Sequence, residues 1–115
     1  MARFKLIAVS NPMPGHEQEC GLWYDQTHLQ DMVAVPGIIS AQRFELVRGA
    51  PSKAFKRYLA IYEVEAADEA EARGLIDRLN AANLPLSETL DVPSVNLGVY
   101  RETAAPIGKR KTSHG

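Results

Sequence analysis

One cysteine, Cys20, in 115 residues leaves no intramolecular disulfide and no thiolate-cluster metal site, and suits a reducing compartment. No 18 apolar residues run together, so no segment reads as a transmembrane helix. Arg3 and Lys5 interrupt the first apolar stretch; no signal-peptide hydrophobic region is expected, and the expected location is cytoplasmic. Excess charge of either sign is also missing. Lys and Arg number 13 against 14 Asp and Glu, a formal net charge of -1 that offers no electrostatic reason to bind nucleic acid or an anionic membrane. No phosphate-cradling glycine loop, internal repeat or low-complexity tract is found. What is present is 45% hydrophobic residues, enough for one domain burying roughly two-thirds of its unfolded surface. That domain is expected over residues 1–103, with 104–115 a flexible basic tail carrying Lys109, Arg110 and Lys111.

Hydrophobic periodicity predicts six elements. Phe4 to Asn11 is a strand with apolar residues on both faces, stopped by Asn11-Pro12-Met13-Pro14-Gly15. From about Glu17 a helix is predicted with Leu22, Leu29, Met32 and Val33 as its apolar stripe and Val35-Pro36-Gly37 as its end. Ile38–Val47 and Arg57–Glu65 read as an antiparallel hairpin with a long connection through Arg48 to Lys53. Asp68–Asn80 is a second amphipathic helix, the segment through Pro93 a loop, and Ser94–Arg101 the last strand. The order βαββαβ is α+β and ferredoxin-like: a four-stranded antiparallel sheet with both helices on one face. Apolar residues on the uncovered face call for a cover, and a second copy is the simplest closed one, giving a homodimer that packs sheet to sheet as an α/β barrel.

The densest polar and aromatic group lies on the first helix. Tyr24 and His28 stand four residues apart, on adjacent turns of one helix face beside Met32. An imidazole titrating near neutrality can move a proton, and a nearby phenol can polarise a carbonyl or hold the ring by a hydrogen bond. The plain alternative is a packed pair with no catalytic task. Trp23 reads as a packing or interface residue, Asp25 and Asp31 as solvated or capping charges, and Cys20 as an inert small residue. Arg43, charged within an apolar strand, snorkels, pairs with Glu63 across the hairpin, or points at an anionic ligand. Asn11 holds the proline-rich loop or lines a pocket mouth. With no second His and no Cys at ligand spacing from His28, no metal site is expected.

The ordered run Asn11-Pro12, Gly15-His16-Glu17, Trp23-Tyr24-Asp25-Gln26-Thr27-His28, Val35-Pro36-Gly37 and Gln42-Arg43-Phe44, then Tyr58 to Glu63, resembles the small EthD-like proteins of the dimeric α/β-barrel superfamily. The resemblance covers about the first 65 residues by motif and the rest by element order. It implies a ferredoxin-like protomer, a homodimer, and a pocket between helices and sheet faced by His28, with Tyr24, Trp23 and Arg43 nearby. It does not choose a reaction, because relatives include cyclases, cofactor-free monooxygenases, haem-degrading oxygenases and isomerases. The chain offers no axial-ligand context beyond His28, so haem is disfavoured and no cofactor is expected. The leading expectation is a small apolar or aromatic ligand handled without a metal, His28 acting as general acid or base with Tyr24 as its hydrogen-bonding partner, in cyclisation, isomerisation or dehydration. The alternatives are a non-catalytic ligand-binding or stress-associated accessory protein and a cofactor-free monooxygenase.

Overall fold

The computed structural model describes residues 2–49 and 55–109; Arg110 and Lys111 of the basic tail, and residues 50–53 of the long hairpin connection, lie outside the described residues. Four strands, β1 (Ala2–Pro12), β2 (Ile38–Glu45), β3 (Tyr58–Ala66) and β4 (Leu90–Arg101), form one antiparallel sheet in the order β2-β3-β1-β4. Two helical stretches cross one of its faces, so the chain is α+β with the expected ferredoxin-like topology.

Period-2 alternation places the core. Phe4, Leu6 and Ala8 of β1 and Ala60, Tyr62 and Val64 of β3 are buried beneath the helices. Removing apolar volume from the centre of this layer, as in Leu6→Ala, costs about 2–5 kcal/mol through lost transfer energy and the cavity left behind. The intervening residues point the other way, and Ile7 and Val9 of β1 and Leu59 and Ile61 of β3 stay half-exposed on a face that no helix covers. Phe44 joins them from β2.

The first helical stretch runs as α1 (Glu17–Trp23), a π-helical turn (Tyr24–His28) and α2 (Leu29–Val33). It ends at the Val35-Pro36-Gly37 turn. Gly37 adopts φ 95°, and its carbonyl accepts from Glu65 N at 2.9 Å; a Cβ there would meet the Glu65 carbonyl at 3.3 Å, so glycine suits the site on both counts.

Two boundaries differ from expectation. The single helix expected over Asp68–Asn80 is two pieces, α3 (Glu69–Arg73) and α4 (Leu75–Ala82), meeting at Gly74, where the side chain that would favour helix is absent. Asp68 caps α3 by accepting from Glu71 N at 2.9 Å, and Asn83 closes α4 in the left-handed conformation. Only the end of the stretch expected to be loop through Pro93 differs: Leu90 to Pro93 already belong to the sheet, since Leu90 pairs with Pro12 and Asp91 with Asn11. Among the described residues no helix is long and apolar enough to cross a membrane.

Candidate functional site

Four residues at a strict spacing of four, Cys20, Tyr24, His28 and Met32, are buried together on the sheet-facing side of the first helical stretch. In a regular α-helix a four-residue period drifts about 40° per step, which would swing Met32 about 120° away from Cys20. The π turn removes that drift. Leu29 N donates to Tyr24 O five residues back, and the wider turn brings all four side chains onto one line. For the same reason the expected stripe is corrected: Met32 is buried, but Leu22 is 49% and Val33 38% exposed. Residues five apart now face each other as well, so Trp23 stacks on His28 with ring centroids 4.6 Å apart and planes 23° off parallel.

The other wall comes from an irregularity in β4. Val9 pairs with Asn96 but Asn11 pairs with Asp91, so Val92 to Val95 bulge out opposite Ser10. Ser94 fills the break in the ladder: its Oγ accepts from Asn11 N at 2.7 Å and donates to Asp91 O at 2.5 Å. Pro93, which has no N–H to offer a ladder, is tolerated within this bulge. Between the bulge, the π turn and α4 lies a cavity of about 280 Å³, lined by Tyr24, His28 and Met32 from the first helical stretch, Ala8 and Tyr62 from the sheet, Leu79, Asn80 and Asn83 at the end of α4, and apolar residues of β4 and the loop before it. No Lys, Arg, Asp or Glu lines it. Leu86, Val92 and Leu97 are partly exposed at its rim and mark the opening.

His28 is 9% exposed, and its Nδ1 is buried without a hydrogen-bond partner. Burial lowers its pKa below the ordinary imidazole value, against a smaller opposing pull from Asp31, so the ring is neutral at pH 7. A neutral imidazole has one nitrogen free to accept a proton. Tyr24 lies edge-on to His28 with centroids 5.2 Å apart, but its hydroxyl shares a buried 2.8 Å hydrogen bond with Ser10 Oγ. The expected Tyr24–His28 hydrogen bond is therefore replaced by Tyr24–Ser10, because the phenol points at β1 and not along the helix. Burial raises the Tyr24 pKa, so the phenol stays protonated.

Of the residues expected near the ligand, Trp23, Arg43 and Asn11 do not line the cavity. Arg43 does not pair with Glu63: the hairpin register puts Arg43 opposite Ala60 on the helix side, while Glu63 points to the open face and binds Lys5 at 2.9 Å. Asp25 takes the guanidinium instead, accepting from Nε at 2.8 Å and Nη2 at 3.1 Å, so the charge expected to be solvated is half-exposed and also paired. The guanidinium lies 4.9 Å from the Tyr58 ring centre, and the Tyr58 hydroxyl donates to Glu17 O at 2.7 Å, so this cluster fastens α1 to the sheet. Asn11 secures a loop, its Oδ1 accepting from Arg57 N at 2.8 Å. Cys20 is buried with its pKa raised by that burial, in keeping with an inert role. Among the described residues no three His, Cys, Asp or Glu side chains gather as metal ligands.

Sequence reasoning missed Ser10, Tyr62 and the bulge residues of β4. Tyr62 alternates in phase with Ala60 and Val64 on the covered face of β3, a signal present in the sequence to which no site role was attached.

No protein-family profile matches the chain, and no curated protein sequence does. Two solved structures share its fold. A candidate monooxygenase from Shewanella loihica PV-4 superposes with TM-score 0.58 at 21% identity, over 90% of this chain and 97% of that one. An EthD family protein from Bacillus halodurans C-125 superposes with TM-score 0.55 at 18% identity, over 88% and 99%. The fold expected from the motifs is thus that of an EthD family protein.

Proposed function

We propose that this chain is a homodimeric pocket protein that carries out cofactor-independent acid–base chemistry, of cyclase, isomerase or dehydratase type, on a small aromatic or carbonyl compound. One observation carries the reading: a neutral, buried imidazole that lines an apolar cavity and whose Nδ1 has no hydrogen-bond partner. A histidine kept only for packing would ordinarily satisfy that nitrogen within the protein, since an unpaired buried polar atom costs about 1–3 kcal/mol. His28 takes up or returns the proton. Trp23 holds the imidazole plane by stacking, and Tyr24, anchored by Ser10, fixes the ring from the side. The first test is a melting screen of the wild-type protein and His28→Ala against phenols, quinols, aromatic ketones and lactones. A stabilising ligand at about 100 times its dissociation constant adds about 2.7 kcal/mol. Ligand stabilisation that survives in His28→Ala, together with unchanged turnover, removes the role assigned to His28.

The open sheet face supports the dimer. Ile7, Val9, Leu59, Ile61 and Phe44 form one apolar strip, and a second copy related by a two-fold axis covers it with the same strip. Sedimentation giving only the 12.6 kDa protomer at micromolar concentration refutes this assembly.

The Shewanella loihica neighbour favours a second reading, oxygen insertion into an electron-rich aromatic held in the same cavity, with His28 as the base that creates the phenolate. Oxygen uptake separates it from the first. Binding without turnover or oxygen uptake leaves a non-catalytic ligand carrier.

A further inference from the structure

The cavity holds a buried polar group that acid–base chemistry at His28 does not use. Tyr62 sits in the middle of β3, the strand next to the centre of the sheet, 1% exposed, and lines the cavity together with His28. Its hydroxyl makes no hydrogen bond among the described residues, unlike the hydroxyls of Tyr24 and Tyr58, which are bound to Ser10 and to the Glu17 carbonyl. A buried phenol in a protein interior ordinarily finds a partner. Burial raises the Tyr62 pKa well beyond the ordinary phenol value, which leaves the group a hydrogen-bond donor across the biological pH range.

Resting on the pocket reading above, we propose that Tyr62 is the second polar anchor of the ligand, its hydroxyl donating to a ligand oxygen while the His28 imidazole accepts from a ligand hydroxyl, and that the pair selects uncharged hydroxyl- or ketone-bearing compounds over carboxylates. The selection against anions follows from the lining. No cation is present to offset the desolvation of a carboxylate; the amides of Asn80 and Asn83 stand at the exposed rim and the interior lining is mainly leucine and valine, so that cost is large. At protein packing density the cavity, about 280 Å³, admits roughly 210 Å³ of ligand atoms, the bulk of a compound of two or three fused rings.

The test uses the full chain, its Tyr62→Phe variant and four two-ring probes in titration calorimetry: 1-naphthol, 1-tetralone, tetralin and 1-naphthoate. The expected result is tighter binding of 1-naphthol and 1-tetralone than of tetralin, with 1-naphthoate at least tenfold weaker than 1-naphthol. Tyr62→Phe should weaken 1-tetralone about fivefold, the worth of one neutral hydrogen bond, leave tetralin unchanged, and melt no lower than the wild type because the lost hydroxyl had no internal partner. Unchanged 1-tetralone affinity in Tyr62→Phe overturns the anchor while leaving the pocket standing. Equal losses for tetralin and 1-tetralone assign Tyr62 to packing and overturn it too. Binding of 1-naphthoate as tight as that of 1-naphthol overturns the selection of neutral ligands. If none of the four binds the wild type, the pocket reading itself fails and the anchor with it.

Discussion

Replacing His28 by glutamine removes the titrating ring while keeping a polar side chain of similar bulk. Burial depresses the folded-state pKa of His28 below the ordinary imidazole value near 6.5, so the unfolded chain takes up this proton more readily than the folded one. The stability this provides is fully present above about pH 6.5. It is lost as pH falls from there towards the folded pKa, with a limiting slope of about 1.4 kcal/mol per pH unit for a single group. Urea unfolding at half-unit steps from pH 7.5 to 5.0 should therefore show the wild type losing up to about 1.4 kcal/mol per unit more than His28→Gln below pH 6.5, and the two curves running parallel above it. Trp23, the one tryptophan in the sequence and stacked on this ring, supplies a second readout. Its emission should titrate with a midpoint below 6.5 in the wild type and lose that step in the variant. A midpoint at or above 6.5, or parallel stability curves throughout, refutes the claim that His28 is held neutral by burial.

Tyr24→Phe and Ser10→Ala should each cost about 1–3 kcal/mol, because each strands the other's buried hydroxyl; chemical denaturation of both decides it. Arg43→Ala should destabilise more than Asp25→Ala, since the guanidinium packs over Tyr58 while the Asp25 carboxylate is half in solvent, and thermal melts in low and high salt should show little salt dependence for the difference. Ile61→Lys, placed in the centre of the open face, should shift the sedimenting species from dimer to protomer without lowering helix content by circular dichroism.

Strands and helices were legible wherever a period of 2 or 3.6 persisted. β1 and β3 alternate along their whole length, and the covered face follows from that alone. The first helix failed differently. Its buried face repeats every four residues, so a wheel drawn at 100° per residue assigned Leu22 and Val33 to the core and put Tyr24 and His28 at its edge. No local sequence rule predicts a π turn; the spacing of Cys20, Tyr24, His28 and Met32 becomes a signal only once burial is known. The β4 bulge was hidden because Pro93 and its polar neighbours are loop formers by composition, and only pairing with Asn11 and Pro12 makes them strand. The choice of Asp25 over Glu63 as the partner of Arg43 depends on face and register, which a bulge between Ile38 and Ser40 helps to set. Of the expected site, Tyr24, His28 and Trp23 come together, and Arg43 and Asn11 do not.

The bulges also bear on self-association at the margins of the sheet. With the order β2-β3-β1-β4, the outermost strands are β2 and β4, and each carries an irregularity: one between Ile38 and Ser40, the other around Pro93. A regular outer strand offers a row of free N–H and C=O groups on which another chain can polymerise, whereas kinks and a proline interrupt that template. Ribbon-like growth edge to edge is thereby discouraged on both sides, leaving the broad apolar face as the preferred route for one copy to meet another. Straightening β4 by deleting Val92 to Ser94 would then do two kinds of harm: it would close the ligand cavity and expose a continuous strand edge prone to fibrous aggregation.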